Sequence, residues 1–167
     1  YIRPTVEIDG KQFDPNYQHN FQNVKRDTNI IQFDDLNKKF NMENLFSILS
    51  NGITINIKGD PRPIEIPFSE SPKIMMTTNY VLSGDSDSHT GRKWEIVASP
   101  YYNVDFTPEI EFKMRLFEDF DSTEWSRFDN YMLSCVQLYL KHSIYKHTSE
   151  KLAIRKLIQT TNSEFIE

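Results

Sequence analysis

The sequence predicts an α/β domain followed by a helical subdomain. Three observations lead to this prediction: short apolar strands separated by crossovers, two alternating segments joined by a turn, and a change to helical periodicity from Thr107 onward. We expect the α/β part to span residues 1–106 and the helical part to span residues 107–167. The chain has 167 residues, of which 38% are apolar and 13% aromatic, which is enough to bury a core.

The first predicted strand covers residues 28–35. Its centre is apolar, and Asp34 and Asp35 end it. The preceding residues 1–27 are polar and carry turn signals such as Asp9-Gly10, so they predict irregular structure. This first strand is therefore expected to lead directly from its apolar centre into a pair of carboxylates.

A helix and a hairpin follow. Residues 41–49 place apolar side chains at helical spacing, and Gly52 follows as a C-terminal cap would. Residues 53–66 alternate between apolar and polar on both sides of a turn, which predicts a β-hairpin. Residues 73–78 predict a second buried strand that ends at Asn79.

The rest of the chain predicts one more strand and then helices. Residues 83–91 are rich in Gly, Ser and Asp and predict a loop, and residues 93–98 predict a third strand. An apolar stripe that runs from the Thr107-Pro108 start signal to Phe117 predicts a helix. Longer helical patterns begin at residue 122 and at residue 150.

Composition limits the partners. The formal charge is −5, so no basic field covers the whole chain, and any contact with DNA must be local. Cys135 is the single cysteine, which fits a reducing compartment, and we expect a cytoplasmic protein. No apolar stretch has the length that a membrane span needs, so we expect no membrane partner.

The acidic pair is the first candidate for chemistry. In open α/β sheets, ligands collect at the carboxyl ends of strands, where Asp34 and Asp35 are predicted to lie. Two carboxylates there suit magnesium chemistry, in which one acid holds the ion and the other orients or deprotonates a water molecule. The alternative is an acidic helix start, which favours the helix dipole without any catalysis.

Three further positions have both a functional and a structural interpretation. Asn79 can hold a water molecule or a phosphate oxygen at the same sheet edge, or be an ordinary turn residue. Arg92 can reach a phosphate in a neighbouring subunit, or be half of a solvated basic pair with Lys93. Lys58 and Arg62 at the hairpin tip can contact DNA, or serve solubility alone. The histidines share no ligand spacing with Cys135, so we predict no zinc site.

The order of three segments resembles the superfamily 3 helicases. The segments are Asp-Thr-Asn-Ile-Ile-Gln-Phe-Asp-Asp-Leu at 27–36, Asn-Leu-Phe-Ser-Ile-Leu-Ser-Asn-Gly-Ile-Thr-Ile at 44–55, and Ser-Pro-Lys-Ile-Met-Met-Thr-Thr-Asn-Tyr at 71–80. The likeness is to the AAA+-like helicase domain of primase-helicases from phages and bacterial mobile elements. It implies a partial AAA+-type P-loop NTPase core, with parallel strands and a hairpin, followed by a helical subdomain.

The resemblance also implies roles. Asp34 matches the acid that holds Mg²⁺, Asp35 the acid that activates water, and Asn79 the sensor asparagine of the ATP site. Arg92 falls where relatives carry an arginine finger, although relatives show an acid and two arginines before the basic-aromatic-acid run. The hairpin with Lys58 and Arg62 occupies the place of a DNA-contacting hairpin in the pore of a ring, which implies a hexamer.

One family motif is missing. No Gly-x-x-x-x-Gly-Lys-[Ser/Thr] phosphate-binding loop occurs in the sequence, and in relatives that loop lies upstream of the segment at 27–36. Because the chain begins at Tyr1, we expect a fragment of a longer helicase, with little or no ATP turnover by itself. The rival hypotheses are a non-catalytic module that binds DNA or a replication partner, and a metal-dependent nuclease built on Asp34 and Asp35.

Overall fold

A computed structural model of the chain describes residues 3–82, 89, 91–144 and 150–161. The chain forms two compact units. The first consists of Tyr1–Lys93 together with Arg155–Glu167, and the second is Trp94–Ile154. The domain boundary that the sequence suggests at residue 106 stays a prediction.

A three-stranded parallel sheet is the framework of the first unit. Strands β1 (Thr5–Asp9), β2 (Ile30–Asp34) and β5 (Lys73–Met76) lie in the order β1-β2-β5, so β2 is central. Ile31 and Phe33 of β2 are fully buried. Burial of a parallel strand between two neighbours explains its near-continuous apolar sequence.

The register of the sheet aligns the ends of its strands. Asp9 of β1 is paired with Asp34 of β2, and Phe33 of β2 is paired with Met76 of β5. Since all three strands run in one direction, the residues that follow them collect at one edge. This carboxyl edge carries the acidic pair that the sequence singles out.

The predicted hairpin is present. Strands β3 (Gly52–Ile55) and β4 (Ile64–Pro67) pair antiparallel, with Ile53 opposite Ile66. Helix α1 (Ile48–Asn51) leads directly into β3. Ile53, Ile55 and Ile66 are buried and Ile64 is half-buried, so the hairpin contributes to the same core as the sheet.

That core lies in the first unit. Its buried apolar side chains come from the sheet, the hairpin and the segments that connect them: Val24, Ile31, Phe33, Leu36, Phe40, Met42, Leu45, Ile53, Ile55, Ile66 and Leu82. Among the residues of the second unit that the structure describes, no apolar side chain is buried. The stability of the fold therefore comes mainly from the first unit.

The prediction that residues 1–27 are irregular is wrong for β1. Val6 and Ile8 are half-buried and alternate with the exposed Thr5, Glu7 and Asp9. An edge strand keeps its polar side in water, so its composition resembles that of a loop. The turn signal Asp9-Gly10 at the end of β1 makes the sequence look still more like a loop.

The predicted helix at residues 41–49 is instead two separate turns. A 3₁₀ turn at Met42–Leu45 begins at Asn41, whose side chain accepts a hydrogen bond from the Glu43 amide at 2.9 Å. Helix α1 follows after a break. The 3₁₀ repeat of three residues also brings Met42 and Leu45 to one side, so the apolar spacing fits both helix types.

The predicted strand at residues 93–98 is absent. This segment forms no ladder with any strand in the described parts of the chain, and the Ile96 side chain is 85% exposed. A strand is stable only when a partner completes its hydrogen bonds, and an apolar pattern does not specify that partner. Of the predicted loop at 83–91, residues 83–88 and 90 lie outside the described residues.

The second unit contains helices α2 (Pro108–Phe112) and α3 (Ser122–His142). Helix α2 is shorter than its apolar stripe predicts, because Lys113 adopts a left-handed conformation with φ 57° and ends it. Helix α3 begins at Asp121, whose carboxylate accepts the amides of Thr123 and Glu124 at 2.8 Å.

An aromatic cluster precedes and joins α3. Phe117 and Phe120 pack against Trp125 and Phe128 of the helix, with ring centroids 5.3 to 6.2 Å apart. Phe117 also adopts a positive φ of 70°. This reversal of the chain explains why the stripe that includes Phe117 does not continue α2.

Helix α4 (Glu150–Thr160) confirms the last predicted helix and extends it by two residues. From Arg155 onward, α4 belongs to the first unit. None of the helices within the described ranges has the length and apolar character required to cross a membrane.

We predict that Gly52→Ala destabilises the hairpin much more than Gly59→Ala. Gly52 has φ 108° and ψ −177°, and a Cβ there would meet the Ile66 carbonyl oxygen and lie 2.9 Å from the Phe68 nitrogen. This backbone region alone costs a side chain about 1–3 kcal/mol. Gly59 also has a positive φ of 89°, but a Cβ there meets nothing within 4 Å.

Urea denaturation of both variants measures the difference. Gly59→Ala is the matched control, because it changes the same residue type at a positive φ in the same hairpin. Equal losses in the free energy of unfolding would show that the close approach at Gly52 does not matter.

Candidate functional site

Thr77 connects the two strand ends at the carboxyl edge. Its hydroxyl donates to Asp34 Oδ1 at 2.6 Å and accepts the Asp35 amide at 2.8 Å. The backbone adds two bonds in the same place, from the Thr77 amide to the Phe33 carbonyl and from the Leu36 amide to the Thr77 carbonyl. The residues after β5 therefore hold the acidic pair in a fixed orientation.

Asp35 leaves the line of β2 by adopting a left-handed conformation with φ 51°. Aspartate tolerates this region better than most residues do. The turn separates the two carboxylates, so that Asp34 faces Thr77 while Asp35 faces Asn79 and Lys11. The Asn79 side-chain amide donates to Asp35 Oδ1 at 3.5 Å, the outer limit of a hydrogen bond.

Lys11 is a member of the site that the sequence does not reveal. Its ammonium group forms an ion pair with Asp35 Oδ2. Hydrogen bonding to Asp35 and the charge of that carboxylate raise the pKa of Lys11 above its ordinary value, with a smaller contribution from Asp9. Asp9 also fixes the turn, because its carboxylate accepts the amides of Lys11 at 2.9 Å and Gln12 at 3.2 Å.

Gly10 permits this arrangement. Its amide donates to the Asp34 carbonyl at 2.6 Å, and a Cβ at this position would lie 2.6 Å from that oxygen and 2.8 Å from Leu36 Cδ2. Only a residue without a side chain fits so close to β2. The pair Asp9-Gly10 predicts a turn, but a turn signal does not say that the next residue reaches the neighbouring strand.

Helix α4 fixes the segment that follows β5. The Gln159 carboxamide accepts the Val81 amide at 2.9 Å and donates to the Val81 carbonyl at 2.8 Å. Arg155 donates to the Asn79 carbonyl at 3.3 Å. Two side chains of one helix therefore position the backbone of the segment 79–81.

Arg92 lies elsewhere in the first unit. Its Nε donates to Ser50 Oγ at 3.2 Å, and its guanidinium group lies 4.8 Å from the centre of the Phe46 ring. It lines a cavity of about 250 Å³ together with residues of α1 and the start of β5. No described hydrogen bond or ion pair joins Arg92 to the acidic pair or to Asn79, so its role as an arginine finger stays a prediction.

The two cations at the hairpin tip are exposed. The Arg62 side chain is 87% exposed, and its Nε lies 3.4 Å from Asp60 Oδ1. Lys58 is exposed beside Gly59. The base of the loop is anchored, because the Asn56 carbonyl oxygen and His19 Nδ1 lie 2.9 Å apart. A fixed base and an exposed basic tip are compatible with contact to a phosphate backbone.

The carboxyl edge could offer two carboxylates, those of Asp34 and Asp35, to a metal ion. Among the described residues, no group of three or more His, Cys, Asp or Glu side chains could hold a metal ion. Mg²⁺ keeps several water molecules and is usually bound through one or two carboxylates plus substrate phosphates. Asp34 offers one carboxylate oxygen beyond the one that Thr77 contacts, and Lys11 occupies one oxygen of Asp35.

Comparisons of the chain with protein-family models, with curated proteins and with solved structures each find no match.

We predict that Thr77→Val lowers the free energy of unfolding by about 1–3 kcal/mol, because it leaves a part-buried amide and a carboxylate without their partner. Thr77→Ser is the control, since it keeps the hydroxyl group. Chemical denaturation of both variants tests the bridge. A serine variant as unstable as the valine variant would attribute the loss to the methyl group instead.

Proposed function

We propose that this chain is part of the ATPase motor of a replicative DNA helicase of superfamily 3, of the primase-helicase type found in phages and mobile elements. The observation that carries the proposal is the meeting of Asp34, Asp35 and Asn79 at the carboxyl edge. Chemistry at this edge is what the fold class favours. The parallel sheet and the interposed hairpin are compatible with part of an AAA+ core.

In this proposal each side chain at the edge has a separate task. Asp34 holds Mg²⁺, which supplies charge neutralisation for the phosphates of ATP when it is bound. Asp35 orients a water molecule and accepts its proton. Asn79 places its amide beside the same water or a phosphate oxygen. The left-handed turn at Asp35 separates the two carboxylates, so that each one serves a single task.

The chain alone is expected to turn over little ATP, because its sequence contains no phosphate-binding loop of the Gly-x-x-x-x-Gly-Lys type. In the proposed full helicase, that loop supplies the backbone amides and the lysine that hold the phosphates. Arg92 acts in a ring hexamer, across the interface with the neighbouring subunit. Such a role needs no contact between Arg92 and the acids of its own chain.

The hairpin supplies the proposed contact with DNA. Lys58 and Arg62 lie at its exposed tip, where they bind the phosphate backbone without reading the bases. The overall charge of −5 is compatible with this role, because the positive charge is needed only at the tip.

We predict that a chain extended upstream to include a phosphate-binding loop hydrolyses ATP in the presence of DNA, and that Asp35→Asn lowers its kcat about 10²–10⁴-fold. The reason is that an amide cannot accept the proton of the attacking water. Steady-state phosphate release measures the effect.

Asn37→Asp is a control that adds a carboxylate two residues away from Asp35. It should leave kcat within a small factor of the wild-type value. Absence of turnover in an extended, folded and DNA-supplied wild type would contradict the motor proposal.

We predict that the double variant Lys58→Ala with Arg62→Ala weakens binding of single-stranded DNA. The dependence of log Kd on log salt should become shallower by about 1.4, because two phosphate contacts are lost. Fluorescence anisotropy over a range of salt concentrations measures this slope.

The matched control is Lys38→Ala with Lys39→Ala, which removes the same charge from another exposed segment. An equal change of slope in both double variants would mean that the hairpin has no special part in DNA binding.

The second candidate is a binding module without catalysis, which docks on DNA or on a replication partner. The ion pair between Lys11 and Asp35 favours it, because such a pair gives Asp35 a structural role in holding the turn after β1 that needs no catalysis. Turnover by the extended chain and its loss in Asp35→Asn would exclude this candidate.

A further inference from the structure

Helix α3 has an apolar stripe that its own unit leaves open. The helix has 21 residues, and none of them is buried. Its side chains at the spacing of a coiled-coil seam, which we name the α3 stripe, are Trp125, Phe128, Met132, Cys135 and Tyr139. The exposed fractions of Trp125, Met132 and Tyr139 are 42%, 44% and 52%.

Among the described residues, ring contacts cover only the first half of the stripe. Phe117 and Phe120 pack against Trp125 and Phe128, as described above. The stripe continues past these rings for almost three turns, with Met132 and Tyr139 exposed. Further exposed apolar side chains flank it: Tyr131, Val136 and Leu138. An apolar surface of this extent is typical of an interaction site.

We propose that the α3 stripe is a self-association surface, on which α3 of a second copy packs in antiparallel orientation. The proposal rests on this helix alone and is independent of the ATPase function proposed above.

The spacing of the stripe allows a second copy to be the occupant. With His142 included, the intervals from Trp125 are 3, 4, 3, 4 and 3 residues, which read the same in both directions. In an antiparallel pair related by a twofold axis, Phe128 therefore faces Tyr139 of the second copy, and Met132 faces Cys135. Each copy supplies the same patch, as a closed dimer requires.

Charge decides the orientation. The start of α3 carries Asp121 and Glu124, and its last turn carries Lys141 and His142. An antiparallel pair brings the acidic start of each helix beside the basic end of the other and opposes the two helix dipoles. A parallel pair would place acid beside acid and base beside base. Glu124 also pairs with Arg127 of its own helix, and Asp121 caps the helix through one carboxylate oxygen, but both keep their negative charge at the start of α3.

Sedimentation equilibrium of the full 167-residue chain tests the association. The expected wild-type species is a dimer of the 19.8 kDa chain. Met132→Lys should raise the dimer dissociation constant at least about 10-fold, because it places two ammonium groups near the twofold axis. Leu133→Lys is the matched control, since Leu133 is 60% exposed on the same helix but lies outside the stripe, and it should leave the constant within about 2-fold.

Both variants replace exposed residues, so both should fold, and far-ultraviolet circular dichroism checks that they do. A wild-type chain that remains a monomer at the highest concentration reached overturns the proposal. So does a dimer that Met132→Lys and Leu133→Lys weaken equally, because that dimer would use another surface.

Disulfide trapping tests the orientation. In a Cys135→Ser background, which removes the single cysteine, a chain with Ser122→Cys is mixed with a chain with Ser143→Cys and oxidised. The antiparallel pair should give the mixed 122–143 disulfide in excess over 122–122 and 143–143 disulfides. An excess of the two symmetric products would indicate a parallel pair and would overturn the proposal.

Discussion

Burial of the central strand β2 is the constraint on which the rest of the first unit depends. A strand with parallel neighbours on both sides has no edge in water, and both of its faces must be covered. Ile31 and Phe33 lie on one face and are fully buried in the core, whereas Ile30 and Gln32 on the opposite face are half-buried. Polar residues can follow only where the strand leaves the core, which is why Asp34 and Asp35 lie at its end.

The carboxyl edge combines rigidity with opposed charges. Thr77 fixes both acids through one hydroxyl group, and helix α4 fixes the backbone of Asn79. The Lys11 ammonium then competes with any other cation for Oδ2 of Asp35. A metal ion that approaches Asp35 therefore has to displace the Lys11 ammonium group or bind beside it.

The sequence predicts those parts of the fold that follow from local periodicity. In each of these elements the alternation or helical spacing of apolar residues lies within one short segment: the strands β2 and β5, the hairpin, and the helices α3 and α4. Asp34, Asp35 and Asn79 could be expected at one edge, because parallel strands end together. The actual proximity of Asn79 to Asp35 agrees with that reasoning, while the roles of these residues stay predictions.

The remaining features depend on partners that are distant in sequence. β1 is a strand because β2 lies beside it, whereas residues 93–98 form none because no ladder partner is present in the described chain. Lys11 reaches Asp35 only because Gly10 lets the turn approach β2, and a composition of Asp, Gly and Lys does not encode that approach. Arg92 is similar, since its position depends on Ser50 and Phe46 and on no motif around it.

The contact between Gln159 and Val81 has a kinetic consequence. A backbone amide that is bonded to a side chain exchanges its hydrogen with solvent only when that side chain moves away. The Val81 amide is held by the carboxamide of a helix more than seventy residues further along the chain. Its rate of exchange with deuterated water therefore reports how often α4 detaches from the segment after β5. Exchange at this single amide thus measures the stability of the contact between the C-terminal helix and the rest of the first unit.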